Sequence, residues 1–246
     1  MLQINQLQMY VFPKFKYLEY IAVCVLPYIT WQYLYKTYKE EVKNYEDAVL
    51  FQKRHNCVLM YYKGKGHTGW PTNSQKVDLN IKNIEILFEP FLYFINTAKT
   101  NLDIAIMSIN VKSVIEALIN AHERGVKVRV VSNFYMNGST TDNYKVMKRT
   151  GIPITFFVSK DKTNSIMHTK FIVKDYKDST GGYLLMGSFN MTYNAFSSNY
   201  EDLVFTSKRS LVKDYHKNFN RMWKDLTEDN NNMFNRLILE NSGFIP

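Results

Sequence analysis

His168-Thr169-Lys170-Phe171-Ile172-Val173-Lys174-Asp175, with Gly187-Ser188-Phe189-Asn190 beginning twelve residues after it, decides the reading of this 246-residue chain. The pattern is H-x-K-x4-D followed by G-S-x-N, and it occurs once. Its apolar centre reads as a strand over 168–174. Tyr183 to Ser188 reads as a second strand, joined to the first by the turn-rich DYKDSTGG of 175–182. Side chains alternate along a strand, so His168 and Lys170 are expected on one face. Asp175 is seven positions from His168, an odd offset that sends it to the other face or into the turn. Its expected work is to fix the strand end by hydrogen bonding, away from substrate. Ser188 and Asn190 share parity, and Gly187 leaves room for a close approach.

An imidazole, an ammonium, a hydroxyl and an amide on one floor suit a phosphate diester. Lys170 brings positive charge to the non-bridging oxygens, and Ser188 and Asn190 donate hydrogen bonds to them. His168 can attack phosphorus covalently, splitting one difficult displacement into two easier steps. A nucleophilic imidazole needs an acceptor on its other nitrogen, and Glu201, eleven residues past Asn190, is the candidate. The leaving oxygen also needs a proton donor, yet the chain has one such histidine. His55, His67, His122 and His216 have no comparable context. A second His168 from a two-fold mate would serve as general acid, so a homodimer with a shared site is expected.

Upstream of the motif, helix and strand patterns alternate. Apolar residues at Ile84, Leu87, Phe88, Phe91, Ile95 and Ala98 mark a helix within 79–99, and 102–108 reads as a buried strand. Val111 to Arg124 is a helix capped by Gly125, then 126–132 a strand, 143–150 a helix stopped by Gly151, and 152–158 a strand. Downstream, 203–206 is a strand and Leu211 to Leu226 an amphipathic helix. The expected fold class is α/β, a mixed β-sheet flanked by helices on both faces.

The N-terminal part is organised differently. Residues 17–35, YLEYIAVCVLPYITWQYLY, are apolar and aromatic between Lys14 and Lys16 on one side and Lys36, Lys39 and Lys43 on the other. They read as a membrane-anchor helix, with a buried or interfacial helix as the alternative. Residues 1–36 are then the anchor and the charged 37–47 a linker. A catalytic domain follows over 48–227, starting with a strand at Ala48 to Phe51, and 228–246 form a polar, weakly patterned tail. Within the domain, 52–72 read as a protruding basic loop or small inserted subdomain. Its Lys53, Arg54, Lys63 and Lys65 interleave with Tyr61, Tyr62 and Trp70, which suits a single-stranded nucleic acid; a solvated basic loop is the alternative.

With 31 Lys and Arg against 22 Asp and Glu, the net charge of +9 fits an anionic partner, nucleic acid or an acidic membrane face. A hydrophobic fraction of 46% excludes a disordered chain. Two cysteines, Cys24 and Cys57, are too few for a disulfide framework, and the chain reads as intracellular.

The span from Ala48 to about Leu226 resembles the single-motif branch of the phospholipase D superfamily. The resemblance rests on VLF at 49–51, GVKVRVVS at 125–132, MHTKFIV at 167–173, LMGSFNMT at 185–192 and NYEDLVF at 199–205. It implies a phospholipase D-like α/β/α sandwich behind an N-terminal anchor. It also implies a homodimer with two motif copies at one cleft, and metal-independent phosphodiester hydrolysis through a phosphohistidine. In it, Glu201 matches the acidic residue that orients the nucleophile. The branch implies two activities: single-strand endoribonuclease in small-RNA (piRNA) precursor processing, leaving 5′-phosphates, or cardiolipin hydrolysis to phosphatidic acid. Its setting is the mitochondrial outer membrane, with the catalytic domain facing the cytosol. The chain departs from the branch where relatives carry a zinc-bearing insertion. Here the loop holds only His55, Cys57 and His67, one ligand short of a closed structural site, so they are weak candidates for a structural zinc and a basic loop with incidental histidines is the favoured reading; for catalysis the resemblance implies no cofactor.

Overall fold

The computed structural model describes residues 19–63, 65–71, 85–137, 141–159 and 165–245. The chain divides into two compact units, Met1–Phe51 and Gln52–Pro246. A π-helical turn, Ile21–Val25, leads into helix α1 (Leu26–Arg54). Pro27 follows on the π-helical turn, whose widened backbone accommodates a residue that cannot donate an N–H within a continuous helical run. Thr30 and Thr37 donate hydroxyls to the carbonyls of Leu26 and Tyr33, one turn back.

One expectation fails in this segment: Ala48 to Phe51 are not a strand but continue α1. Residues 37–47, read as a linker, are helical throughout. The run is rich in Lys and Glu, with Ala48 and Leu50, all strong helix formers, and has no Gly or Pro, so propensity carries the helix to Arg54. No helix among the described residues is long and apolar enough to cross a membrane. Residues 1–18 of the expected anchor lie outside the described residues.

The second unit is built on an eight-stranded sheet. Its strands are β1 (Cys57–Tyr62), β2 (His67–Thr68), β3 (Asn101–Ile106), β4 (Lys127–Asn133), β5 (Ile154–Phe157), β6 (Phe171–Lys177), β7 (Gly181–Gly187) and β8 (Tyr200–Thr206). Their order is β2-β1-β8-β7-β6-β3-β4-β5. Among the strands of the described residues only β3, β4 and β5 pair in parallel, as the crossover helices α3 (Lys112–Glu123) and α4 (Thr141–Arg149) between them require. The other pairs are antiparallel. Gly125, at φ 89°, ends α3: its N–H reaches the carbonyl of His122, and that of Val126 reaches Ala121.

Helices cover both faces, which agrees with the expected α/β class. On one face α2 (Glu85–Asn96), α3, α4 and α5 (Tyr193–Ser197) pack with the end of the chain around Leu87, Phe91, Phe189 and Phe196. On the other, α6 (Arg209–Asp229) buries Val212, Phe219 and Leu226 against Phe171, Val173 and Leu184. Residues 79–84 of the helix expected over 79–99 lie outside the described residues.

Two further expectations are corrected. The segment 52–72 is not a protruding loop: it supplies the end of α1 and the β1–β2 hairpin, with Tyr61 and Trp70 buried in the core. Leu59 and Tyr61 point inward, and this alternation seats β1 against β8. The tail 228–246 is not weakly structured either. It forms α7 (Met233–Asn241), capped by the Asn232 side chain, and buries Leu239 and Phe244.

Candidate active site

The topology gathers the motif at one end of the sheet. Neighbouring antiparallel strands alternate direction, so β6 begins, β7 ends and β8 begins at the same edge. Strand β6 starts at Phe171, three residues later than expected, so His168 and Lys170 lie in the segment that leads into it. Strict strand parity therefore does not govern them: His168 is exposed while Lys170 is buried. The Lys170 amine turns back to donate to the His168 carbonyl at 2.7 Å. Burial lowers the pKa of Lys170, and the negative charge of Glu201 opposes that shift, which puts the carboxylate within electrostatic reach.

Ser188 and Asn190 follow the end of β7. The Ser188 hydroxyl donates to Glu201 Oε2 and accepts from the Asp202 N–H at 3.1 Å. Glu201 Oε1 accepts from Asn199 Nδ2 at 2.8 Å. In this chain Glu201 is thus bonded to Ser188 and Asn199 rather than holding the His168 imidazole, and the Ser188 proton is committed to Glu201. Gly187 admits a close approach, but the approaching group is β8 itself. A Cβ at Gly187 would lie 2.0 Å from the Asp202 carbonyl oxygen.

Asn190 is held through its neighbours. Met191 forms a bridge with Ile109, and the backbone N–H of Asn110 donates to the Met191 carbonyl at 2.9 Å. The Asn110 side chain accepts from the Tyr193 N–H at 3.0 Å. Asn190 Oδ1 is buried with no partner among the described residues.

Asp175 is separated from this group. Five residues beyond Lys170, it lies about 17 Å along the strand at roughly 3.3 Å per residue. It adopts φ 53° at a β-bulge, a conformation Asp tolerates better than most residues. Its carboxylate accepts from the N–H groups of Lys99, Thr100 and Asn101 and from the Thr100 hydroxyl.

The basic candidates divide as well. Lys63 and Lys65 are exposed in the β1–β2 turn, where Lys63 N–H donates to the Asn199 carbonyl beside Glu201. Lys53 and Arg54 lie at the other end of β1, about 20 Å away at roughly 3.3 Å per residue. Arg54 has a structural role: it donates to the Pro71 carbonyl, pairs with Glu89 and stacks over Trp70 and Tyr93.

The zinc candidates do not converge. His55 Nε2 is 2.8 Å from the Lys174 amine. Cys57, at the start of β1, points its thiol to the Arg54 carbonyl, and burial raises its pKa to about 12. His67 pairs with Tyr61 near the other end of β1. Among the described residues no group of three or more His, Cys, Asp or Glu could hold a metal ion. The residues present do not fit the zinc that the resemblance implies.

Sequence reasoning missed two supports of the site. Lys174 is fully buried, bonded to His55 and Thr97; its place among Phe171, Ile172, Val173 and Tyr176 was the available signal. Tyr144 is also fully buried, and its hydroxyl joins Ser132, Asn137 and the Ile109 N–H under the loop that holds Met191. Nothing in the local sequence marks that network.

A family model described as "Cardiolipin synthase, PLD-like domain" matches residues 91–223. A protein named mitochondrial cardiolipin hydrolase from Chlamydomonas reinhardtii is 31% identical over 136 residues, covering 54% of this chain and 56% of that protein. One of the same name from Xenopus tropicalis is 31% identical over 139 residues, covering 56% of this chain and 61% of that protein. The chain thus spans less than two thirds of the length of these relatives. Among solved structures, Nuc from Salmonella typhimurium, a phospholipase D family member, aligns with TM-score 0.48 at 25% identity, covering 54% of this chain and 84% of that chain. The matched family span exceeds half of the chain and contains His168, Lys170, Ser188, Asn190 and Glu201, and the chain belongs to the phospholipase D-like domain family.

Proposed function

We propose that the chain is a phosphodiester hydrolase acting as a single-strand endoribonuclease, as in small-RNA precursor processing. The observation that carries the reading is the meeting of His168 and Lys170 with Ser188 and Glu201 at one sheet edge, with Lys63 and Lys65 in the adjoining turn. His168 attacks phosphorus, and the bond to the 3′-oxygen of the upstream fragment breaks. That oxygen takes a proton from His168 of a two-fold mate. Water then gives its proton to the mate's imidazole and attacks phosphorus. The phosphorus–nitrogen bond breaks, and the downstream fragment leaves with a 5′-phosphate. Lys170 and Asn190 face the non-bridging oxygens. The proposal includes a homodimer and a place at the mitochondrial outer membrane with the catalytic unit facing the cytosol.

The second reading is cardiolipin hydrolysis to phosphatidic acid, favoured by the names of the relatives. The net charge of +9 and the basic turn beside aromatic Tyr62 and Tyr200 favour RNA. The test incubates the full chain with single-stranded RNA and with cardiolipin vesicles, each with EDTA. RNA cut to 5′-phosphate ends, with vesicles untouched, is the expected result. Phosphatidic acid without RNA cleavage selects the second reading, and activity surviving His168→Ala removes the nucleophile.

A further inference from the structure

The resemblance implies a structural zinc ahead of α2, and the sequence limits what could hold one. Between Phe51 and Glu85 its only Cys or His residues are His55, Cys57 and His67. The structure engages each of them elsewhere. His55 is fully buried, with its ring centroid 4.4 Å from that of Tyr183 and 5.4 Å from that of Phe94, and its Nε2 meets the Lys174 amine. The Cys57 thiol points to the Arg54 carbonyl, and burial holds it protonated, whereas zinc binds the thiolate. His67 pairs with Tyr61, so about 13 Å of β1 separates it from Cys57 at roughly 3.3 Å per residue.

Three other side chains fasten the same stretch: Arg54 at the end of α1, Trp70 just after β2, and Glu89 on α2. Glu89 Oε1 accepts from the Trp70 indole N–H at 3.2 Å and lies 3.5 Å from the Arg54 guanidinium. Arg54 Nε donates to the Pro71 carbonyl at 3.0 Å. The guanidinium also lies over the rings of Trp70 and Tyr93, 5.2 Å and 4.5 Å from their centroids. Trp70 is buried, with its ring 5.7 Å from Tyr93 and 5.5 Å from Phe205 of β8. Glu89 is partly exposed, so the ion pair alone adds little. A cation drawn between apolar rings and away from water is held more strongly. The group ties three chain segments to one point, as a closed metal site does. It also anchors the hairpin whose turn reaches the site, where the Lys63 N–H donates to the Asn199 carbonyl at 2.8 Å.

We propose that Arg54, Trp70 and Glu89 form a metal-free latch in place of the zinc, and that the catalytic unit folds with no structural metal. The latch does not depend on which phosphodiester the motif cleaves.

The test takes the full chain, dialysed against EDTA, through elemental analysis and thermal melts. Well under one zinc per chain is expected, with the same melting temperature in EDTA and in added zinc chloride. Cys57→Ala should leave the melting temperature within about 2 °C. Arg54→Met keeps the side-chain stem and removes the guanidinium; Glu89→Gln keeps an acceptor for the indole and removes the charge. Each should lower the melting temperature by about 2–6 °C. Together they should lower it by clearly less than the two separate effects added, as for partners in one contact. The proposal is overturned if one zinc per chain survives dialysis, if EDTA lowers the melting temperature and zinc restores it, or if Cys57→Ala unfolds the chain. It is overturned as well if neither latch substitution lowers the melting temperature, or if their effects simply add. None of these readouts needs activity, so absence of RNA cleavage would remove the proposed ribonuclease and leave the latch standing.

Discussion

The side-chain amine of Lys174 and Nε2 of His55 lie 2.8 Å apart in the interior, although 119 residues separate them in sequence. The amine also donates to Thr97 Oγ1 at 2.5 Å and sits over the rings of Phe94 and Tyr183. One buried lysine thus ties the motif strand β6 to the ends of α1 and α2.

That contact makes stability depend on pH. Burial, opposed by the attraction of Asp175, lowers the Lys174 pKa from 10.5 to about 7. Between these values the unfolded chain holds a proton that the folded chain has released. The unfolding free energy therefore rises with pH from about 7 to 10.5, and this group adds no slope below that window. The slope from this group is at most about 1.4 kcal/mol per pH unit. Urea unfolding at pH 7 and pH 9 should show the rise in the natural chain and its loss in Lys174→Met. Equal slopes in the two proteins would refute it.

Asp175 acts on structure rather than on phosphate. Asp175→Ala strips the acceptor from three backbone N–H groups and should cost about 3 kcal/mol. Asp175→Asn keeps an oxygen and a side chain that tolerates positive φ, so it should cost less. The kcat of folded Asp175→Asn should stay within about threefold of the original. A loss of 10²-fold or more in that variant would place Asp175 in the chemistry.

Gly187→Ala should harm fold and site together. The new Cβ would meet the Asp202 carbonyl oxygen at 2.0 Å, so β7 and β8 must part. Overpacking of this kind costs about 1–3 kcal/mol or more. It also moves Ser188 away from Glu201. A lower urea midpoint accompanied by a fall in cleavage rate is expected; an unchanged midpoint would contradict the close approach.

Tyr144→Phe removes one oxygen from the network beneath the site. The Ile109 N–H, which donates to that hydroxyl at 3.1 Å, loses its acceptor in a buried place. The cost should be about 1–3 kcal/mol. Because the 108–110 loop holds Met191 beside Asn190, KM should rise more than kcat falls. Steady-state kinetics on the folded variant checks this, and an unchanged KM would free the loop from that role.

Local patterns were legible where one residue type has one physical use. Gly125 ends α3 in the left-handed conformation that few other residues adopt, and the apolar spacing of 111–124 marked the helix before it. The parallel β3-β4-β5 half followed from its crossover helices. At the chain ends, tertiary packing prevailed over local pattern. Ala48 to Phe51 has the composition of a strand but continues a helix already propagating through 26–47. The basic segment 52–72 looked like a loop because its apolar residues are spaced for one face only, and that face became visible once β1 lay against β8.

At the site, the inventory was readable from residue types: His168, Lys170, Ser188, Asn190 and Glu201 are chemically suited to a phosphodiester, and their spacing implied a hairpin. Counting histidines showed that one chain carries one such group. Who holds whom came from the packing of strands. Glu201 bonds Ser188 because β7 and β8 are neighbours at that edge, and Lys170 folds back on His168 because both precede the strand. Asp175, already set apart by its odd offset from His168, finds its backbone partners at Lys99, Thr100 and Asn101 only through the packing of β6 beside β3. Spacing along a chain fixes composition and local geometry, whereas hydrogen-bond partners are set by strand order, which the motif does not encode.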